Sequence, residues 1–102
     1  MTEYVVGKIG EIAPGTAIAV TAGRHTIAVF RIGDDFFAVN NACPHKGASL
    51  CSGEVVIEDK MVRCPWHHWN WRLDDGRLES DPRQALRTYE VTVDGDDVIL
   101  RA

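Results

Sequence analysis

The chain has 102 residues, 45% of them hydrophobic and 25% charged, which suits one ordinary globular domain and leaves no room for two. At this size a bound metal would add usefully to a modest core. Eleven Lys and Arg against fifteen Asp and Glu give a formal charge of -4, the wrong sign for a nucleic acid backbone or an anionic membrane surface. No apolar run approaches the roughly 20 residues that a bilayer-spanning helix needs, and Glu3 and Lys8 interrupt any leader-like start, so a cytoplasmic chain is expected. Three cysteines, an odd number, argue against a secreted disulfide framework and for metal ligation or thiol chemistry.

In chain order, short runs rich in Val, Ile, Phe and Tyr predict strands at Tyr4 to Ile9, Thr16 to Thr21, Thr26 to Ile32 and Phe36 to Asn40. Further strands are expected at Glu54 to Glu58, Met61 to Cys64, Asn70 to Leu73, Arg87 to Val93 and Asp97 to Arg101. Gly33-Asp34-Asp35, Asp74-Asp75-Gly76 and Asp94-Gly95-Asp96 carry the turn chemistry of hairpins, because Gly, Asp and Asn tolerate positive φ or bond their own backbone. No window of ten or more residues has helical periodicity, so an all-β sandwich or barrel is expected, with residues 1–102 forming one domain.

Two segments break the strand rhythm, one over residues 41–53 and one over 64–69. Functional groups tend to sit on loops held by a rigid sheet. The first contains Cys43-Pro44-His45-Lys46-Gly47-Ala48-Ser49-Leu50, the second Cys64-Pro65-Trp66-His67-His68-Trp69. Cys-x-His, eighteen residues, then Cys-x-x-His gives each loop one thiolate and one imidazole, a four-donor site if the loops face each other. Two thiolates suit an iron bridged by sulfide and two neutral imidazoles suit a second iron that is easier to reduce. Two Cys and two His are also a zinc set, although Cys-x-His is tighter than the usual zinc-finger knuckle. No nucleophile-base pair, paired carboxylates or glycine-rich phosphate cradle accompanies them, so catalysis by this chain alone has nothing to work with.

These loops resemble those of the Rieske-type [2Fe-2S] proteins, and the resemblance runs from Val5 to Leu100. It implies an antiparallel β-sandwich with a small cluster-binding subdomain and one [2Fe-2S] cluster per chain. Cys43 and Cys64 would hold the inner iron, and His45 and His67 the outer one. Pro82, in Ser80-Asp81-Pro82, matches a proline loop that lies against the cluster in relatives. Ala48 and Trp66 stand where high-potential relatives place a disulfide. Trp69 and Trp71 stand where those relatives offer hydroxyl donors, so the potential is expected toward the low end of a range from about -150 mV to about +300 mV.

The resemblance implies a soluble, low-potential ferredoxin that takes single electrons from a flavin-dependent reductase and passes them to a terminal oxygenase or reductase. The alternative is the small subunit of an assimilatory nitrite reductase, whose first loop is similar to Cys43-Pro44-His45-Lys46-Gly47. Three neighbouring residues are expected outside the site. His68 occupies a position where relatives carry Gly, Cys51 reads as a small semi-buried apolar residue, and His25 as an exposed turn residue. Trp69 and Trp71 are expected to shield the cluster and fill the core, with Trp66 projecting. The carboxylates at Glu54, Glu58, Asp59, Asp74, Asp75, Asp94, Asp96 and Asp97 read as solvated turn ends that could steer a basic partner.

Overall fold

A β-branched and aromatic chain punctuated by Gly and Asp forms strands because its side chains fit a pleated, half-buried surface and its punctuation reverses the chain. The computed structural model describes residues 2–41, 50, 53–64 and 69–102. Its strands are β1 (Glu3–Lys8), β2 (Ala17–Ala22), β3 (His25–Ile32), β4 (Asp35–Asn40), β5 (Glu54–Val56), β6 (Met61–Arg63), β7 (Asn70–Arg72), β8 (Thr88–Asp94) and β9 (Asp97–Arg101). Each expected strand is present, with ends displaced by up to two residues. All pairings between them are antiparallel, in a six-stranded sheet of order β1-β9-β8-β4-β3-β2 and a three-stranded sheet of order β5-β6-β7.

Strand β3, between β4 and the edge strand β2, explains how the sheets stack. Side chains alternate between faces, so a strand buried on both sides needs a layer on each. Ile27 and Val29 point into a cluster with Ala22, Ala38 and Leu100, whereas Ala28, Phe30 and Ile32 point into another with Val39, Leu50, Val62 and Trp71. Register agrees with this division, since Val29 faces Ala38 and Phe30 faces Phe37. The small sheet covers the second cluster. Among the described residues, the first is lined by strands of the large sheet and the residue after β9, including Tyr4 and Val6 from one edge and Ile18 and Val20 from the other. That sheet therefore folds over on itself. Its two halves meet at β4 and β8, which share only the pairs Ala38↔Tyr89 and Val39↔Thr88.

Three local findings differ from expectation. Residues Ile9–Glu11 form a 3-10 turn rather than the end of β1, because the Glu11 carboxylate accepts the Lys8 N–H at 2.7 Å. The half-buried Arg31 guanidinium then donates to the carbonyls of Ile9 and Ile12 at 2.9 and 2.8 Å, holding that turn against β3. β2 and β3 are joined by a two-residue hairpin at Gly23-Arg24, with Gly23 at φ +62°, so β3 starts at His25 rather than Thr26. Asp74-Asp75-Gly76 does reverse the chain, closed by Gly76 N–H to Arg72 O at 2.9 Å. The returning segment, however, pairs through the isolated bridges Trp71↔Leu78 and Arg77↔Ala85 and not as a strand.

Candidate metal centre

The loop of residues 41–53 joins β4 to β5, and that of residues 64–69 joins β6 to β7. Their ends share one row of the small sheet, where Glu54 faces Arg63 and Arg63 faces Asn70, so both loops leave that sheet from the same end. Arg63 ties the row together. Its Nε donates to Asn70 Oδ1 at 3.2 Å and its guanidinium lies 3.6 Å from the Glu54 carboxylate.

Backbone bonds close the base of each loop. Cys64 N–H donates to Trp69 O at 2.8 Å across the second. In the first, Leu50 N–H donates to Asn41 O at 2.7 Å and Gly53 N–H to Leu50 O at 2.9 Å. Gly53 presses the end of this loop onto β6, where a Cβ would stand 2.3 Å from Arg63 O and 3.1 Å from both Leu50 O and Val62 Cγ2. The close approach falls one residue before Cys64.

Cys64 is wholly buried, in the same apolar cluster as Leu50 and Trp71. Of the four expected ligands it is the one the structure describes; Cys43, His45 and His67 lie outside the described residues, as do Cys51, Trp66, His68 and Lys46 to Ala48. Trp71 is the largest fully buried side chain and half-buried Trp69 packs beside it, so both fill the core as expected. Trp71 Nε1 is buried with no acceptor among the described residues. An unmatched N–H of that kind costs about 1–3 kcal/mol. Pro82 is exposed, in a turn closed by Gln84 N–H to Asp81 O at 3.0 Å. That segment starts beside the second loop, since Glu79 N–H donates to Asn70 O at 2.9 Å. The Arg83 hydrogen bond, at 2.9 Å, and then that of Gln84 hold the Asp81 carboxyl below its ordinary value. His25 is exposed at the hairpin, clear of both clusters.

The sequence reading missed the Glu54–Arg63–Asn70 row, the close approach at Gly53 and the unmatched indole N–H. Each depends on neighbours distant in the chain. Among the described residues no group of three or more His, Cys, Asp and Glu side chains could hold a metal elsewhere.

Two loops rich in Cys and His, leaving one end of a small sheet stacked on a larger one, define a β protein built to carry a metal group. The chain belongs to the Rieske [2Fe-2S] domain family, whose profile matches residues 2–90, and its cofactor is a [2Fe-2S] cluster. It is 33% identical to the ferredoxin component of biphenyl 2,3-dioxygenase of Rhodococcus jostii (strain RHA1), over 89% of this chain and 84% of that one. Its fold matches the ferredoxin in a complex of reduced oxygenase and oxidised ferredoxin of carbazole 1,9a-dioxygenase, with TM-score 0.87 and 30% identity over 96% of this chain and 91% of that one. It also matches a Mycobacterium tuberculosis protein assigned as an NADH-dependent nitrite reductase small subunit, with TM-score 0.89 and 26% identity over 97% and 93% of the two chains.

The described residues fit the cofactor. A buried sulfur is a soft ligand for iron, and an unmatched buried N–H is a donor for a sulfur-rich anion. Among the described residues no helix is long and apolar enough to cross a membrane.

Proposed function

We propose that this chain is a Rieske-type ferredoxin that takes single electrons from a flavin-dependent reductase and delivers them to a terminal oxygenase in the cytoplasm. Cys43 and Cys64 hold one iron of its cluster, and His45 and His67 the other. The observation that carries this reading is the common origin of the two Cys/His loops at one end of the small sheet, with Cys64 buried at the base. The bound cluster supplies reversible acceptance of one electron. The chain supplies its surroundings. Apolar packing around Cys64 disfavours the extra negative charge of the reduced state, which supports a potential at the low end of the Rieske range. The relatives named as ferredoxin components support an electron-transfer role rather than catalysis by this chain. The exposed Pro82 turn, anchored beside the second loop, is placed next to the cluster in this reading.

The likeness to the nitrite reductase small subunit supports the second reading, in which the same chemistry serves a fixed subunit. Purification from the native host separates the two, because a subunit stays with a large catalytic chain at high salt and a ferredoxin elutes alone. Ligation is tested by substitution. Cys43→Ser, His45→Ala, Cys64→Ser and His67→Ala should each abolish the visible absorption of the cluster, whereas Cys51→Ser and His68→Ala should retain it. A His67→Ala protein with the full oxidised spectrum overturns the ligand assignment. The paramagnetic resonance spectrum of the reduced wild type should differ from that of a four-cysteine ferredoxin.

A further inference from the structure

We propose that the indole N–H of Trp71 donates a hydrogen bond to a sulfur of the cluster or of a cysteine that ligates it, and thereby raises the midpoint potential; this rests on the cluster being held between the two loops. Val62 faces Trp71 across β6 and β7, and the bond from Cys64 N–H to Trp69 O extends that pairing by one step beyond Arg63 and Asn70. Side chains two apart share a face, so Val62, Cys64, Trp69 and Trp71 lie on the same side of the small sheet. Trp71 is thus the diagonal cross-strand neighbour of Cys64, a separation of about 7–8 Å between backbone positions that an aromatic side chain spans.

The surroundings narrow the acceptor to sulfur. Trp71 is fully buried and its Nε1 has no partner among the described residues. Among the described residues, the buried side chains of its cluster are otherwise hydrocarbon, as in Phe30, Leu50 and Leu73, and Cys64 is the member that carries a heteroatom acceptor. A cluster ligated there brings further sulfur to the same face. On reduction it gains a negative charge, which an N–H donor stabilises. The two tryptophans at the hydroxyl positions of high-potential relatives therefore do not leave the cluster without a side-chain donor.

Trp71→Phe keeps the aromatic body and removes the N–H. With the cluster fully loaded, its midpoint should fall by about 59 mV, a tenfold change in the ratio of reduced to oxidised protein for a one-electron couple. An unchanged midpoint in a loaded variant overturns the proposal. Should the variant fail to load, Trp66→Phe/Trp69→Phe protein labelled with 15N at the remaining indole nitrogen serves instead. Its reduced state should show 15N hyperfine coupling in pulsed paramagnetic resonance, and absence of coupling overturns the proposal. A wild type that shows no mixed-ligand [2Fe-2S] signal would overturn the ligation along with it, whereas an unchanged midpoint strikes at Trp71 alone.

Discussion

Gly53 decides how closely the two loops can approach. Any side chain there would press into Arg63 O, which is strand backbone and cannot rotate aside, and into Leu50 O and Val62 Cγ2. Gly53→Ala should therefore push β5 away from β6, at a cost of about 1–3 kcal/mol typical of an overfilled packing site. Urea denaturation of the loaded protein should report that loss, and an unchanged midpoint of unfolding would show that the loop end yields freely. Gly53 looks like ordinary loop punctuation in the sequence, because its tightest crowding comes from Arg63, ten positions away on β6. The four expected ligands stand on local spacings, Cys-x-His and Cys-x-x-His, and of them the structure describes Cys64. The role proposed for Trp71 was not legible in the sequence, since it depends on which residues face it across a strand pair and on which hydrocarbon side chains surround it.

The strands themselves were readable one by one, because each is a local run of β-branched and aromatic residues between turn formers. Their order was not. β1 pairs with β9 from the opposite end of the chain, and β4 with β8 across more than forty residues, neighbours that no local pattern specifies. The segment from Leu78 to Leu86 shows how a chain with only isolated bridges is still positioned. Leu78 N–H donates to Gln84 O at 2.9 Å, Leu86 N–H to Gly76 O at 2.7 Å, and the Asp81 carboxylate accepts from Arg83 and Gln84 across the turn. Since that carboxyl titrates below its ordinary value in the folded chain, its contribution is complete above the unfolded value of about 3.9 and is lost as pH falls through the folded value. The wild type should thus be more stable than Asp81→Asn at neutral pH, and the difference should shrink below about pH 4. The pair is on the surface, so the effect is small and weakens with salt. Denaturation at pH 7 and pH 3 checks the sign, and a gap that widens in acid would contradict it.

Charge and packing behave differently over the molecule as a whole. A net charge of -4 and clustered turn carboxylates suggest a strong field, yet the structure pairs Asp74 and Asp75 with Arg72, Asp97 with Lys8 and Glu54 with Arg63. Of the turn carboxylates, Glu58, Asp59, Asp94 and Asp96 make no ion pair among the described residues. Packing is divided in two. Among the described residues, the cluster of Ile27, Val29, Ala38 and Leu100 is built from the folded large sheet and the residue after β9. The other cluster includes Leu50 and Cys64 and depends on the loop ends. Composition makes a bound metal a useful addition to a modest core, and the division puts the described ligand, Cys64, in the cluster that the small sheet covers. Removal of iron and sulfide should consequently free β5, β6 and β7 while the large sheet stays folded. Amide exchange of the apoprotein should show the loss of protection confined to β5, β6, β7 and the loop bases, with β2, β3, β8 and β9 protected as in the loaded protein. Equal loss in both sheets would mean that the two clusters unfold as one cooperative unit, with the Cys/His loops holding the whole chain together.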